Sequence, residues 1–187
     1  MSWGRMVHSL LESIGRGALD TDFKSQAERS KPENRELSAS ESKDALDILI
    51  ENALTIEEWD PSEKPALRNL IESILASEFW QRALKAERRF VEVPFSLKAS
   101  GLELGRKDKL PVILTGVIDL VFRESGGWVI ADYKSDEVGG PEHLQSLLDY
   151  YSPQVKLYSR FWAEITGETI KETGLFFIDL NKWIPVL

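Results

Sequence analysis

Cysteine is absent from all 187 residues. That absence excludes disulfides, zinc–thiolate sites, iron–sulfur clusters and cysteine nucleophiles. Histidine is scarce, at two residues, which argues against a multi-histidine zinc site. A metal, if one is used, must be held mainly by oxygen, and oxygen suits magnesium, calcium or manganese. No apolar run approaches the roughly 18 residues that a membrane span needs. No N-terminal segment shows the charged, apolar and cleavage-site order of a signal peptide. The expected location is therefore the cytoplasm, with no membrane partner. Positive charge is also in deficit: 23 Lys and Arg face 31 Asp and Glu, a net charge of −8. A chain so charged does not grip nucleic acid over its whole surface.

What is present is ordinary for a globular chain: 42% hydrophobic and 29% charged residues, in a length that builds one domain with a sizeable core. Basic residues gather in two places, Arg82, Lys85, Arg88 and Arg89, then Arg106, Lys107 and Lys109. Each cluster reads equally as a solvated face or as a phosphate contact.

Apolar residues at positions 3, 6, 7, 10, 11 and 14 have helical spacing, and Gly15 and Gly17 end that helix. Residues 16–44 are polar and poor in aromatics, the composition of a mobile loop or a variable insertion. Ala45 to Leu54 reads as a helix. Asp60-Pro61-Ser62-Glu63 reads as the start of another, with Asp60 as cap and Pro61 in the first turn. Its apolar face is Leu67, Leu70, Ile71, Ile74 and Leu75. A short helical piece covers Phe79 to Ala86.

The pattern then changes. Phe90–Leu97, Val112–Phe122 and Trp128–Tyr133 are rich in β-branched and aromatic residues, and Gly126-Gly127 joins the last two as a hairpin. Pro141 to Asp149 is helical in composition. Ser152-Pro153 opens a stronger helix to Thr166, with Tyr151, Val155, Tyr158, Trp162 and Ile165 on its apolar face. Gly174 to Leu180 reads as a last buried strand. The order predicts an α/β fold: a mixed central β-sheet flanked by helices, preceded by an N-terminal helical segment. We read residues 1–187 as one domain, with 1–86 mainly helical and 87–187 as the α/β core.

Within the strands, Asp119 stands out in TGVIDLVF, because a carboxylate among apolar residues is a cost unless it is paired or holds a metal. Alternation predicts that it shares a face with Val117 and Val121. In WVIADYKSD, Trp128, Ile130, Asp132 and Lys134 share one face, which puts Asp132 and Lys134 roughly 7 Å apart along the strand. The hairpin brings the two strands together, so two carboxylates and one ammonium converge at one end of a ribbon. Two carboxylates can hold a divalent cation for phosphodiester hydrolysis, and a lysine can orient water or stabilise charge on the phosphate. The plainer alternative is a cross-strand salt bridge between Lys134 and an aspartate, which does not require the second acid.

The run GVIDLVF–ESGGWVIADYKSD, followed by QVKLY, resembles the C-terminal nuclease domain of bacterial AddA and RecB helicase–nucleases, of the PD-(D/E)XK class. The family pattern is G-x-I-D-L, a short turn, D-Y-K-T/S-D, then Q-x-x-x-Y on a helix. Gly4-Arg5-Met6-Val7-His8 resembles its opening G-x-x-x-H helix. Glu92-Val93-Pro94-Phe95 resembles the segment before the Asp strand, and GLFFIDLNKWIPV resembles the closing strand. The resemblance implies a restriction-endonuclease-like core and a Mg²⁺- or Mn²⁺-dependent deoxyribonuclease. It implies action as an exonuclease in double-strand break repair and recombination. It further implies that His8, Asp119, Asp132 and the main-chain carbonyl of Tyr133 bind the metal. Lys134 would be the catalytic lysine, acting with Asp119 and Asp132. Gln154 and Tyr158 would support the site or touch DNA, and Glu92 would be a weaker, outlying group. His8 lies well off the apolar stripe of its helix, so it is not core filling; the alternative is a surface histidine.

The chain departs from the family pattern in two respects. With no cysteine, the iron–sulfur branch of the family is excluded. No G-x-x-x-x-G-K-[S/T] phosphate loop occurs in these residues. The chain is then either part of a larger helicase–nuclease, which the abrupt start at the histidine helix favours, or a stand-alone nuclease. The implied partners are DNA and a helicase motor. The competing reading is a catalytically inactive nuclease-fold module that clamps DNA or docks a partner.

Overall fold

The structure is a computed structural model that describes residues 3–19, 39–100 and 110–187. It divides into two compact units, Met1–Gln81 and Arg82–Leu187. The basic cluster at Arg106, Lys107 and Lys109, and most of the loop expected at 16–44, lie outside the described residues.

The first unit is helical. Helix α1, Trp3–Gly15, buries Met6, Val7, Leu10, Leu11 and Ile14, the stripe that the 3.6-residue period specified. Helix α2 runs Ala39–Ile56, so it starts inside the expected loop and passes the expected end. It buries Leu46, Ile50 and Leu54. Asp60 accepts a hydrogen bond from the Ser62 amide at 2.8 Å and caps a 3-10 turn, Pro61–Glu63, that leads into helix α3, Lys64–Ala76. Leu67, Ile71 and Ile74 bury its inner face, and the three helices pack against one another. No helix among the described residues is long and apolar enough to cross a membrane.

Helix α4, Glu78–Lys85, spans the boundary between the units. The second unit is one five-stranded sheet in the order β1-β2-β3-β4-β5. Strands β1 (Arg88–Ser100), β2 (Pro111–Glu124) and β3 (Gly127–Lys134) form an antiparallel meander. The β2–β3 turn is the predicted one, and Gly126 and Gly127 have φ of +100° and +143°, a region that β-carbons disfavour. A Cβ on Gly127 would also meet the Thr169 carbonyl oxygen at 2.5 Å. Helix α5, Pro141–Thr166, then carries the chain back so that β4, Ile170–Phe177, lies parallel to β3. Strand β5, Lys182–Pro185, closes the sheet antiparallel to β4. The α/β class with a mixed sheet is as the sequence predicted.

Two elements differ from the sequence reading. Helix α5 is continuous over 26 residues, with Pro153 inside it. Proline removes one helical amide and disfavours the interior, but the apolar stripe does not stop there. Leu144, Leu148, Tyr151, Val155, Tyr158 and Trp162 keep helical spacing, and all join the same core cluster. Packing therefore outweighs the break, and the Ser152 hydroxyl donates to the Leu148 carbonyl at 2.5 Å beside it. The stripe ends at Trp162: Ile165, expected on it, is exposed. The second difference is at the end of the sheet: the strand expected at Gly174–Leu180 is β4, which starts at Ile170 and stops at Phe177, and β5 after it was not expected. Asn181, with φ of +47°, turns the chain after β4 into β5. A four-residue strand carries too little alternation to read, although Asn in a turn was a legible signal.

One ion network joins α4 to the sheet. The Arg82 guanidinium donates to Glu124 at 2.8 and 2.9 Å and to Glu172 at 3.1 and 3.0 Å. Lys171 adds a contact to Glu124 at 2.7 Å. Arg82 first, then Lys171, hold the Glu124 carboxyl down at about 2. A carboxylate with a depressed native pKa contributes stability that is present above its unfolded value and is lost as pH falls towards the native one. Arg82→Ala is expected to cost about 1–2 kcal/mol at neutral pH, discounted for the partial exposure of the cluster. Melting curves should show that gap closing between about pH 4.3 and about pH 2. A gap that persists at pH 2 would show that Arg82 acts through packing instead.

Candidate active site

The site begins with a fault shared by two strands. Val91 pairs with Leu120 and Val93 with Ile118, so Glu92 stands opposite Asp119. Leu120 pairs with Ala131, which puts Asp119 opposite Asp132 in the same register. Neither position is itself a ladder pair. Glu92 has φ of +50°, a conformation that non-glycine residues rarely adopt.

Its effect shows in the facing of side chains. Phe90 meets Trp128 and Trp162, yet Phe95, five residues on, meets Tyr158 and Phe161 on the same helix. On β2, Ile118 and Val121 join one core cluster, although strict alternation would send them to opposite faces. Val117 is exposed while Val121 is fully buried. The expected shared face of Val117, Asp119 and Val121 is therefore corrected: both strands turn over at the level of Glu92 and Asp119. Strain of this kind costs about 1–3 kcal/mol and persists where the surrounding structure holds it in place.

The result is a row of three carboxylates, Glu92, Asp119 and Asp132, at one level of three adjacent strands. Carboxylate oxygens of Glu92 and Asp119 lie within 4.8 Å of each other. Asp119 also accepts a hydrogen bond from the Tyr133 amide at 2.6 Å. Its carboxyl is pushed up to about 8, by burial first and then by the charge of Asp132, with Glu92 adding to it; the Tyr133 amide and Lys134 act the other way. Glu92, which the sequence placed at the edge of the site, is thus in the acidic row. Its positive φ had no signature in the residue string.

Strand β3 keeps regular alternation. Asp132 is 4% exposed, and Lys134 lies beside it with Nζ 2.6 Å from Oδ2. The ion pair therefore exists, along one strand rather than across two. Asp132 and Lys134 are neighbours on one face, as their spacing predicted. Helix α5 brings the next pieces. Lys134 donates to Gln154 Oε1 at 3.1 Å, and the Gln154 amide donates to the Tyr158 hydroxyl at 2.6 Å. Burial, then the charge of Asp132, pushes the Tyr158 hydroxyl up, so it stays protonated at neutral pH. The Tyr158 ring packs on Phe95, with ring centroids 5.2 Å apart, while its hydroxyl accepts from Gln154.

Tyr133 and His8 complete the expected set. Tyr133 buries its ring against Phe176 and offers its amide to Asp119. His8 lies on α1 in the first unit and is half-buried. The basic cluster at Arg82, Lys85, Arg88 and Arg89 does not form one open surface. Arg82 is held by two glutamates, and Arg89 donates to the Ala83 and Leu84 carbonyls at the end of α4.

A row of hard oxygen donors beside an ammonium fits a small divalent cation. Oxygen ligands suit magnesium or manganese, and a cation would offset the burial and then the repulsion by Asp132 that raise Asp119.

Similarity to known proteins identifies the family of the chain. An ATP-dependent helicase/nuclease subunit of Carboxydothermus hydrogenoformans is 38% identical over 121 residues, 62% of this chain and 10% of that protein. The protein of the same name from Desulforamulus reducens is 30% identical over 149 residues, 76% of this chain and 12% of its own length. That from Clostridium botulinum (strain 657) is 28% identical over 178 residues, covering 91% of this chain and 13% of its own length. The chain thus spans about a tenth of the length of these relatives. The sequence matches the PD-(D/E)XK nuclease superfamily over residues 1–184, almost from end to end, and the chain belongs to that superfamily.

Proposed function

We propose that this chain is a magnesium-dependent deoxyribonuclease domain that cleaves DNA during double-strand break repair and recombination. It would work in the cytoplasm with a helicase motor, in the same polypeptide or complex. The observation that carries the reading is the row Glu92, Asp119 and Asp132 with Lys134 against its end. A solvated acidic patch would not bury Asp132 or raise Asp119.

Asp119 and Asp132, with the Tyr133 carbonyl and His8, would hold the cation, and Glu92 stands next to Asp119 to join them. When bound, the cation would polarise the phosphodiester and acidify a water. Lys134 would stabilise the charge that develops on the phosphate. The Tyr133 amide fixes one oxygen of Asp119. Gln154, itself oriented by Tyr158, holds the Lys134 ammonium in place.

Linear DNA should be degraded by the purified chain in magnesium and left intact in chelator. His8→Ala is expected to raise the magnesium concentration for half-maximal activity by roughly 10-fold or more. Its maximal rate should fall far less, because excess cation refills a weakened site. An unchanged magnesium titration would return His8 to the role of a surface residue.

A further inference from the structure

Lys134 has a third contact that its role as catalytic lysine does not account for. Its ammonium stands 3.9 Å above the centre of the Tyr151 ring. Asp132 and Gln154 hold the same ammonium from two other directions, at 2.6 and 3.1 Å. Tyr151 is one helical turn before Gln154 on α5, so both reach it from one face. The Tyr151 hydroxyl in turn donates to Asp136, at 3.2 Å from Oδ1 and 3.1 Å from Oδ2. Asp136 lies two residues beyond Lys134 in the segment that leaves β3. Ammonium, ring and carboxylate therefore form one closed unit.

The chemistry of the three groups reinforces the contact. A phenol that donates to a carboxylate gains electron density, and its ring attracts a cation more strongly. Burial, then Asp136, pushes the Tyr151 hydroxyl above the usual phenol range, so it remains the proton donor. A ring also holds an ammonium without offering a second carboxylate, so the charge of Lys134 is oriented rather than neutralised.

We infer that Tyr151 is a positioning residue for Lys134: its ring, polarised through the hydroxyl by Asp136, fixes the ammonium beside the acidic row. This rests on the reading that Lys134 acts in catalysis. It adds a residue pair, Tyr151 and Asp136, that acts only through that lysine.

The test compares Tyr151→Leu, Tyr151→Phe, Asp136→Asn and the last two combined, in the full chain with linear DNA and saturating magnesium. Tyr151→Leu should lower kcat roughly 10-fold, within the range of about 2- to 30-fold expected of one such contact. KM and the magnesium midpoint should stay within about 2-fold, because the ring touches the lysine and not the carboxylates. Tyr151→Phe keeps the ring and should lose only about 2- to 3-fold. Asp136→Asn should match it, and the double variant should be no worse than either, because hydroxyl and carboxylate act as one. In a Lys134→Ala background, Tyr151→Leu should have no further effect.

Wild-type kcat in a folded Tyr151→Leu, or an undiminished loss in the Lys134→Ala background, would overturn the inference. A second measurement is independent of activity. Ring current should shift the Lys134 side-chain proton resonances upfield, and Tyr151→Leu should restore them to ordinary values. If Lys134→Ala cleaves DNA at the wild-type rate, the catalytic reading of Lys134 fails, and the inference fails with it. If Lys134→Ala is inactive and the shift is absent, only the role of Tyr151 fails.

Discussion

Asp119→Asn should melt at a higher temperature than the parent in chelator, and should gain nothing from magnesium. The carboxyl of Asp119 is pushed up to about 8 in the folded chain, by burial, Asp132 and Glu92, against about 3.9 in the unfolded one. A group with a raised native pKa contributes stability that is full below its unfolded value and is lost as pH rises towards the native one. The gain from Asn should therefore be negligible near pH 4 and largest above about pH 8. Asparagine can still accept from the Tyr133 amide, so that hydrogen bond survives the change. Each tenfold in acidity is worth about 1.4 kcal/mol, so the melting temperature should rise by at least roughly 3–6 °C at pH 8. In the parent, about 10 mM magnesium with a dissociation constant of about 1 mM should add roughly 1.4 kcal/mol. Thermal melting with magnesium and with chelator checks both halves. Equal gains from magnesium in both proteins would put the metal elsewhere. A variant less stable than the parent at pH 8 would mean that Asp119 serves the fold.

Asp132 is not the residue for that experiment, although charge repulsion alone makes the two aspartates look equivalent. Lys134 lies 2.6 Å from Asp132 and offsets its charge. Neutralising Asp132 would strand the ammonium and destabilise the chain.

Lys134→Ala is expected to separate chemistry from metal binding. Cleavage should fall by at least about 100-fold, the scale seen when one stabilising charge is removed from a transition state. Stabilisation by magnesium should persist, because the lysine is not a ligand. Single-turnover cleavage read beside thermal melting decides it. Cleavage within a few-fold of the parent would remove Lys134 from the mechanism. Loss of magnesium stabilisation would instead make it a support for the carboxylates.

Much of this was legible in the residue string where one period governs a segment. Trp128, Ile130, Asp132 and Lys134 alternate on a regular strand, and their shared face followed from spacing alone. Helix α1 and its buried stripe followed in the same way. Legibility failed where a local signal met a tertiary one. Pro153 signals a helix start, but Leu144, Leu148, Val155 and Tyr158 pack as one stripe across it and hold the helix whole. The facing of Asp119 could not be read from β2, because the irregularity is shared with the neighbouring strand, where Glu92 has a positive φ. For the same reason Glu92 looked peripheral. The Tyr151 ring under Lys134 joins α5 to β3, 17 residues apart in sequence. No periodicity within either element encodes that contact.

The proposed function requires that the acidic row cut DNA. End-labelled linear DNA, single- and double-stranded, should be incubated with the parent chain and with Asp119→Ala, purified side by side, in magnesium and in chelator. The parent should cleave in magnesium alone, and Asp119→Ala in neither condition. Cleavage by the parent in chelator, or equal cleavage by Asp119→Ala in magnesium, would contradict it.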